Sequence, residues 1–234
     1  MSVNIARTLV PNIDIKQIPT PAFLVVGSSP SEDKKGRTYY DNPRFYLYDM
    51  SDVPPETNIS RYIKSNFSES PSNFQLSGIF KKKFDVVILD NAVGKFLDGK
   101  VGPLIYMFNM VKPGGTFIID SVNGLSLIQP EEEESFENAK ERVKKEFIDH
   151  LKSISNQGSI EITTFGELIG KNPVANEVYG PLLANHMFVE QKYIRPEGEC
   201  IVITKVSSGG RRTTRRKHAK SRKSKMRYKY KGIK

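Results

Sequence analysis

Apolar residues follow two rhythms along this chain. Short, nearly unbroken runs predict buried strands at Phe23 to Val26, Arg44 to Asp49, Phe84 to Asp90 and Thr116 to Asp120. Between them the spacing becomes helical. Ile59, Tyr62, Ile63 and Phe67 lie at i, i+3, i+4 and i+8, which predicts a short amphipathic helix after the Pro54-Pro55 break. Leu104, Ile105, Phe108 and Val111 predict a second helix, with Pro103 near its first turn and Lys112-Pro113-Gly114-Gly115 stopping it. Phe136, Val143, Phe147, Leu151 and Ile154 mark the longest helix, expected from Pro130 to Ser155. Its first turn would carry Glu131 to Glu134, where the helix dipole favours negative charge. Near the end, HMFVEQKYI and ECIVITKV flank Arg195-Pro196-Glu197-Gly198, the composition of a tight turn joining an antiparallel hairpin.

Strands alternating with helices and closing on a hairpin indicate an α/β protein whose mostly parallel sheet has an antiparallel edge. Residues 1–20, punctuated by Pro11 and Pro19, suit an extended segment laid along the body. The polar stretch SEDKKGRTYYDNP, interrupted by Gly36 and Pro43, promises no long helix. A chain of 234 residues, 38% of them hydrophobic, suits one sizeable core in residues 21–206 rather than two domains. No apolar run reaches about 18 residues, and Met1 to Val10 lacks the plan of a secretory signal, so a cytosol-like compartment is expected. The single cysteine, Cys200, sits in the apolar run CIVITKV and reads as a core residue.

Charge divides the chain into two objects. Of 36 Lys and Arg residues, 13 fall in residues 207–234, which contain no Asp or Glu. The remainder is slightly acidic, so the net charge of +10 belongs to a C-terminal arm and not to the folded surface. That arm starts Ser-Ser-Gly-Gly and has almost no aliphatic residues, a composition expected to stay disordered. Arg211, Arg212, Arg215, Arg216, Lys217, Lys220, Arg222, Lys223, Lys225, Arg227, Lys229 and Lys231 would neutralise phosphates. Tyr228 and Tyr230, set between basic residues, would stack on unpaired bases. Nucleic acid or another polyanion is the expected partner, and a nuclear-localisation signal is compatible with the same residues.

Candidate chemistry in the body begins at FLVVGSSPSEDKKG, where a buried strand ends on Gly27 and opens into the small polar residues Ser28 and Ser29. Asp49 ends the next strand 22 residues later, near the spacing at which a Rossmann-type acid meets ribose hydroxyls. FLVVGSS, FDVVILDNAVGKFL and MVKPGGTFIIDS, in this order, resemble the first strand and loop, the fourth strand and turn, and the fifth-strand region of class I S-adenosylmethionine-dependent methyltransferases. The resemblance implies a Rossmann-like sheet with S-adenosylmethionine above the carboxyl ends of the first strands. It implies that Gly27, Ser28, Ser29, Asp49 and Asn91 bind the cofactor and that Asp90 faces the methyl group as a catalytic base. This sequence departs from the family in lacking the acid usual within the first strand. It also has no convincing third strand between Asp49 and Phe84, so that strand is either lost or supplied by Phe74 to Phe80.

Other chemistries lack their signatures. His150, His186 and His218 have no metal-ligand spacing with Cys200, and neither a phosphate loop nor a nucleophile elbow occurs. Lys95 and Lys100 flank the expected mouth of the site, where they read as solvated loop lysines or, alternatively, as attractors of a phosphate-bearing substrate. The arm also resembles the basic C-terminal arms of proteins of large DNA viruses, which implies a host-cytoplasmic or virion location. Two functions are therefore expected in competition: a methyltransferase or a descendant of one brought to nucleic acid by its arm, and a non-catalytic Rossmann-like module that packages or scaffolds nucleic acid.

Overall fold

The computed structural model describes residues 13–30, 39–53, 59–90, 102–120, 131, 133–154, 158–184 and 195–207. Seven strands form one sheet: β1 (Phe23–Val26), β2 (Phe45–Asp49), β3 (Tyr62–Lys64), β4 (Phe84–Leu89), β5 (Val111–Ile119), β6 (Gly158–Thr164) and β7 (Glu199–Lys205). Their order across the sheet is β3-β2-β1-β4-β5-β7-β6. The first five run parallel, and β7 lies antiparallel between β5 and β6. Order reverses at β1, whose neighbours are β2 and β4, so the sheet has the topological switch point at which open α/β sheets bind ligands.

β1 is buried at every position because both of its faces are covered. On one face α1 (Ser70–Ile79), α2 (Gly102–Met110) and α3 (Phe136–Ile154) pack over Leu24, Val26, Val87, Leu89, Phe117 and Ile119. On the other, Val25, Leu47, Ile88, Ile118 and Val202 meet Tyr39, Tyr40, α4 (Phe165–Lys171) and α5 (Pro173–Ala184). The alternation of side chains along each strand sorts the apolar residues cleanly between the two layers.

Several sequence expectations change in the fold. The predicted helix at Ile59 to Phe67 is instead a 3-10 turn, Ile59–Arg61, followed by the three-residue strand β3. Tertiary pairing overrides the helical spacing here. Leu47, Tyr48 and Asp49 of β2 pair with Tyr62, Ile63 and Lys64, and the Arg61 guanidinium ties the turn down. It donates to the carbonyls of Asn42 (2.6 Å), Phe45 (2.8 Å) and Tyr40, while lying 4.4 Å from the Tyr40 ring centroid. The third strand is thus present, and Phe74 to Phe80 belong to α1 and its cap rather than to a strand.

The Lys112-Pro113-Gly114-Gly115 segment lies inside β5, not before it. Between the pairs Phe84↔Val111 and Val86↔Thr116 it forms an irregularity in the register. Gly114 has φ +80°, and a Cβ on Gly115 would stand 2.5 Å from the Asp85 carbonyl oxygen, so the backbones meet there only because a side chain is missing.

The long helix starts at Phe136. Ser135 Oγ accepts from the Asn138 amide, so Glu131, Glu133 and Glu134 precede the first turn. Glu134 folds forward onto Arg142, with bonds of 3.1 and 2.9 Å, and that guanidinium lowers its carboxyl pKa.

The sheet's end is antiparallel as expected, but not as a hairpin. β7 pairs with β5 on one side and with β6 on the other. Both its edges are occupied by these two strands; HMFVEQKYI, expected as the hairpin's first strand, lies outside the described residues. The Arg195–Gly198 turn is present, closed by a 2.8 Å bond from the Gly198 amide to the Arg195 carbonyl. Strand β6 and helices α4 and α5 carried no expectation. β6 is largely exposed, and α5 is rich in Ala, Gly and Pro, so neither repeats a strong apolar rhythm. Side-chain caps fix the two helices: Thr164 Oγ1 accepts from the Glu167 amide, and Asn172 Oδ1 from the amides of Val174 and Ala175.

Among the described residues no helix is long and apolar enough to cross a membrane.

Candidate functional site

The carboxyl ends of four adjacent strands stop in one row. Bonds from the Gly27 amide to the Tyr48 carbonyl (2.8 Å), from Asp90 to Val26 (2.8 Å) and from Asp120 to Leu89 (3.2 Å) continue the ladder one step beyond the paired residues. Across β2, β1, β4 and β5 the row therefore reads Asp49, Gly27, Asp90, Asp120. Extending the antiparallel register brings Cys200 beside Asp120, and Cys200 in turn pairs with Thr163 of β6. These positions have the parity of Val25, Leu47, Ile88, Ile118 and Val202, so the three carboxylates share the face covered by α4 and α5.

Gly27 has φ +87°, the left-handed conformation that a side chain disfavours. The chain turns sharply there and carries Ser28 and Ser29 into buried positions, 6% and 2% exposed. Asp49 is buried and organises its own turn: Oδ1 accepts from the Met50 amide (2.6 Å), the Ser51 amide (3.0 Å) and the Ser51 hydroxyl (2.9 Å). This is the hydrogen bonding of an Asx turn. It fixes the carboxylate at the strand end, and the Ser65 amide bonding the Asp49 carbonyl holds the end of β3 beside it.

Asp90 and Asp120 are both buried at the ends of β4 and β5. Asp120 was no candidate in the sequence, although TFIID has the same form as RFYLYD and FDVVILD, an apolar run closed by aspartate. Three repeats of that pattern were the signal. Above Asp90 and Asp120 stands Tyr179 of α5, fully buried, its ring 4.9 Å from that of Phe165. Burial, and then the nearby Asp120, Tyr39, Cys200 and Asp90, push its phenol well above the ordinary tyrosine range. Among the described residues its hydroxyl has no hydrogen-bond partner. Cys200 is also fully buried, and desolvation followed by Asp120 pushes its thiol up to about 12, the state of an inert core thiol.

The structure thus brings Gly27, Ser28, Ser29, Asp49 and Asp90 to one edge. Asn91, Lys95 and Lys100 lie outside the described residues, as does the arm from residue 208 onward with all its candidate phosphate and base contacts. Among the described residues no three His, Cys, Asp or Glu side chains converge on a metal-sized site.

Neither a family model nor a curated protein matches the chain. Solved structures do resemble it. The MycE methyltransferase of the mycinamycin pathway, in complex with Mg and SAH, is 14% identical over 90% of this chain, with a TM-score of 0.44. This chain spans 50% of that enzyme's length. A 16S rRNA (adenine(1408)-N(1))-methyltransferase from Catenulisporales acidiphilia is 12% identical, over 89% of this chain and 93% of that one, with a TM-score of 0.42. The aminoglycoside resistance methyltransferase NpmB1 is 10% identical, over 82% and 90%, with a TM-score of 0.43. The fold assignment rests on the sheet itself: a seven-stranded, mostly parallel, Rossmann-like sheet in strand order 3-2-1-4-5-7-6.

Proposed function

We propose that the carboxyl edge of β1, β2 and β4 is an S-adenosylmethionine site and that the protein is a methyltransferase, or descends from one, brought to nucleic acid by residues 207–234. The observation that carries this reading is the row Asp49-Gly27-Asp90 at the topological switch point, with Gly27 at positive φ between two carboxylates. Gly27 lets the backbone approach the ligand closely. Because the three bonds that the Asp49 carboxylate accepts among the described residues all fall on Oδ1, Oδ2 is the oxygen that would meet a ribose hydroxyl. When bound, the cofactor supplies an already electrophilic methyl group, so the protein's work is chiefly alignment. Asp90, ending the strand next to Gly27, is placed to accept a proton from a neutral nucleophile.

A second reading, a non-catalytic Rossmann-like module that scaffolds nucleic acid, is favoured by the burial of Ser28 and Ser29, which places both loop side chains within the protein. Titration of the full chain with S-adenosylmethionine and S-adenosylhomocysteine, followed by calorimetry and thermal unfolding, separates the two. Ligand at about 100 times its dissociation constant adds roughly 2.7 kcal/mol of stability. Asp49→Asn keeps an oxygen acceptor for the local turn while removing the charge, and should weaken binding without unfolding the protein. No saturable binding up to millimolar ligand would reject the enzyme reading and leave the scaffold.

A further inference from the structure

The opposite edge of the sheet carries a feature that the cofactor reading does not use. Helices α1 and α2 pack side by side, and neither contains a charged residue. On their outer surface Phe74 is 63% exposed and meets the half-buried Tyr106 edge to face, ring centroids 5.6 Å apart, with Ile105 exposed beside them in sequence. Both helices run toward the amino edge of the sheet. There Lys81, Lys82 and Lys83 follow in succession, and among the described residues none of them pairs with a carboxylate.

The turn is held in place. The Lys82 amide donates to the Asn109 carbonyl (3.1 Å), and the Lys83 amide lies 2.9 Å from the Met110 carbonyl and 3.1 Å from the Phe80 carbonyl. Lys82 itself has φ +56°, a conformation glycine or asparagine adopts with less strain. Lysines after a helix complement its dipole, but that role requires neither a strained backbone nor exposed rings on the helices above.

The C-terminal arm leaves from the same place. Lys205, the last residue of β7, is buried and donates to the carbonyls of Phe108 (2.9 Å) and Val111 (3.0 Å). The end of α2 thus binds the lysine turn through Asn109 and Met110 and the root of the arm through Phe108. Ser207 lies against Gly114 at that edge, and the 13 basic residues of the arm follow. Burial and the proximity of Lys82 and Lys81 pull the Lys205 ammonium down to about 8, in keeping with a locally positive field.

We propose that Lys81, Lys82 and Lys83, with the Phe74–Tyr106 ring pair, form a docking surface for single-stranded nucleic acid on the folded body, continuous with the arm and on the edge opposite Gly27. The inference rests on the reading of the arm as a nucleic-acid binder. It adds a specific partner form, since exposed rings stack on unpaired bases and a duplex offers none along its length. The rings lie about 10 Å or less along the helix axes from the lysine turn, at 1.5 Å per residue, within reach of one short strand.

The test uses the full chain and two fluorescein-labelled probes: a single-stranded oligouridylate of about 16 nucleotides and a duplex of equal length. Lys81→Gln/Lys82→Gln/Lys83→Gln should lower the slope of log affinity against log salt by about 2, since each phosphate contact contributes about 0.7 on a single strand. Phe74→Ala/Tyr106→Ala should weaken single-strand binding by about tenfold or more and leave duplex binding unchanged. Lys82→Gly relieves the positive φ, so it should raise the thermal midpoint and still weaken binding, which separates docking from folding. A fourth variant replaces the arm's basic residues with serine. If that variant loses all binding while the lysine and ring variants bind like wild type, the surface is refuted and the arm reading stands. Full binding by all variants refutes both. Loss of self-association in sedimentation, with oligonucleotide binding intact, would assign the surface to a protein contact and overturn the inference.

Discussion

Tyr179→Phe isolates one oxygen atom in the centre of the layer that covers the carboxyl edge. The side chain is fully buried, and its hydroxyl makes no hydrogen bond among the described residues. An unsatisfied buried hydroxyl costs about 1–3 kcal/mol of desolvation. Removing the oxygen recovers that cost and leaves a void of only one small atom, whose lost contacts amount to a few tenths of a kcal/mol. The packing against Phe165 survives, because phenylalanine retains the ring. The expected result is a gain of about 1 kcal/mol, or roughly 2–4 °C in midpoint for a chain of this size. The chain contains no tryptophan, so urea unfolding is best followed by far-UV circular dichroism, with the denaturant slope unchanged. A loss of about 0.5 kcal/mol or more would refute the reasoning and show that the hydroxyl has a partner, such as a bound water bridging toward Asp90 or Asp120.

Gly115→Ala should destabilise the protein by about 2 kcal/mol or more in the same urea assay, since the new methyl would meet the Asp85 carbonyl at 2.5 Å and backbone would have to move. Lys205 predicts a pH dependence. Its native pKa of about 8 lies below the ordinary 10.5, so the unfolded chain binds more protons between those values and stability should rise with pH across that window, by about 1–3 kcal/mol. Lys205→Met should flatten the rise. Above about pH 10 the trend should reverse, because burial raises the phenols of Tyr40, Tyr46, Tyr48 and Tyr179, whose unfolded counterparts ionise first. Cys200 should resist thiol reagents at neutral pH until denaturant is added; rapid labelling of the native protein would contradict its burial.

The proposed cofactor site and the proposed docking surface lie at opposite ends of the strands, because parallel strands send all their carboxyl termini to one edge and receive the helices' ends at the other. A strand of nucleic acid held at the lysine turn would have to pass around the body, or be carried by the arm, to reach Asp90. On these two proposals the arm's root at Lys205 would serve as a tether, set apart from the proposed cofactor edge.

Much of the sheet was legible in the sequence because its central strands are covered on both faces. FLVV, FYLYD and FDVVIL need apolar residues at nearly every position, and such runs are visible without any partner. The glycine at the first strand's end and the aspartates closing RFYLYD and FDVVILD were legible for the same reason: they interrupt those runs. Asp120 closes TFIID in the same way, but its place beside Asp90 appears only when β5 is aligned with β4. What the sequence could not determine are the elements whose identity depends on a distant partner. β3 is three residues long and became a strand because β2 offered an edge and Arg61 found three carbonyls, whereas its local spacing favoured a helix. β6 reads as polar because it is an exposed edge, and it became a strand because β7 had one free side. α5 covers the carboxyl edge through small residues and one buried tyrosine, too weak a rhythm to announce a core helix. Local sequence decided where chain is buried on all sides; tertiary pairing decided wherever one face or one edge was left to be filled.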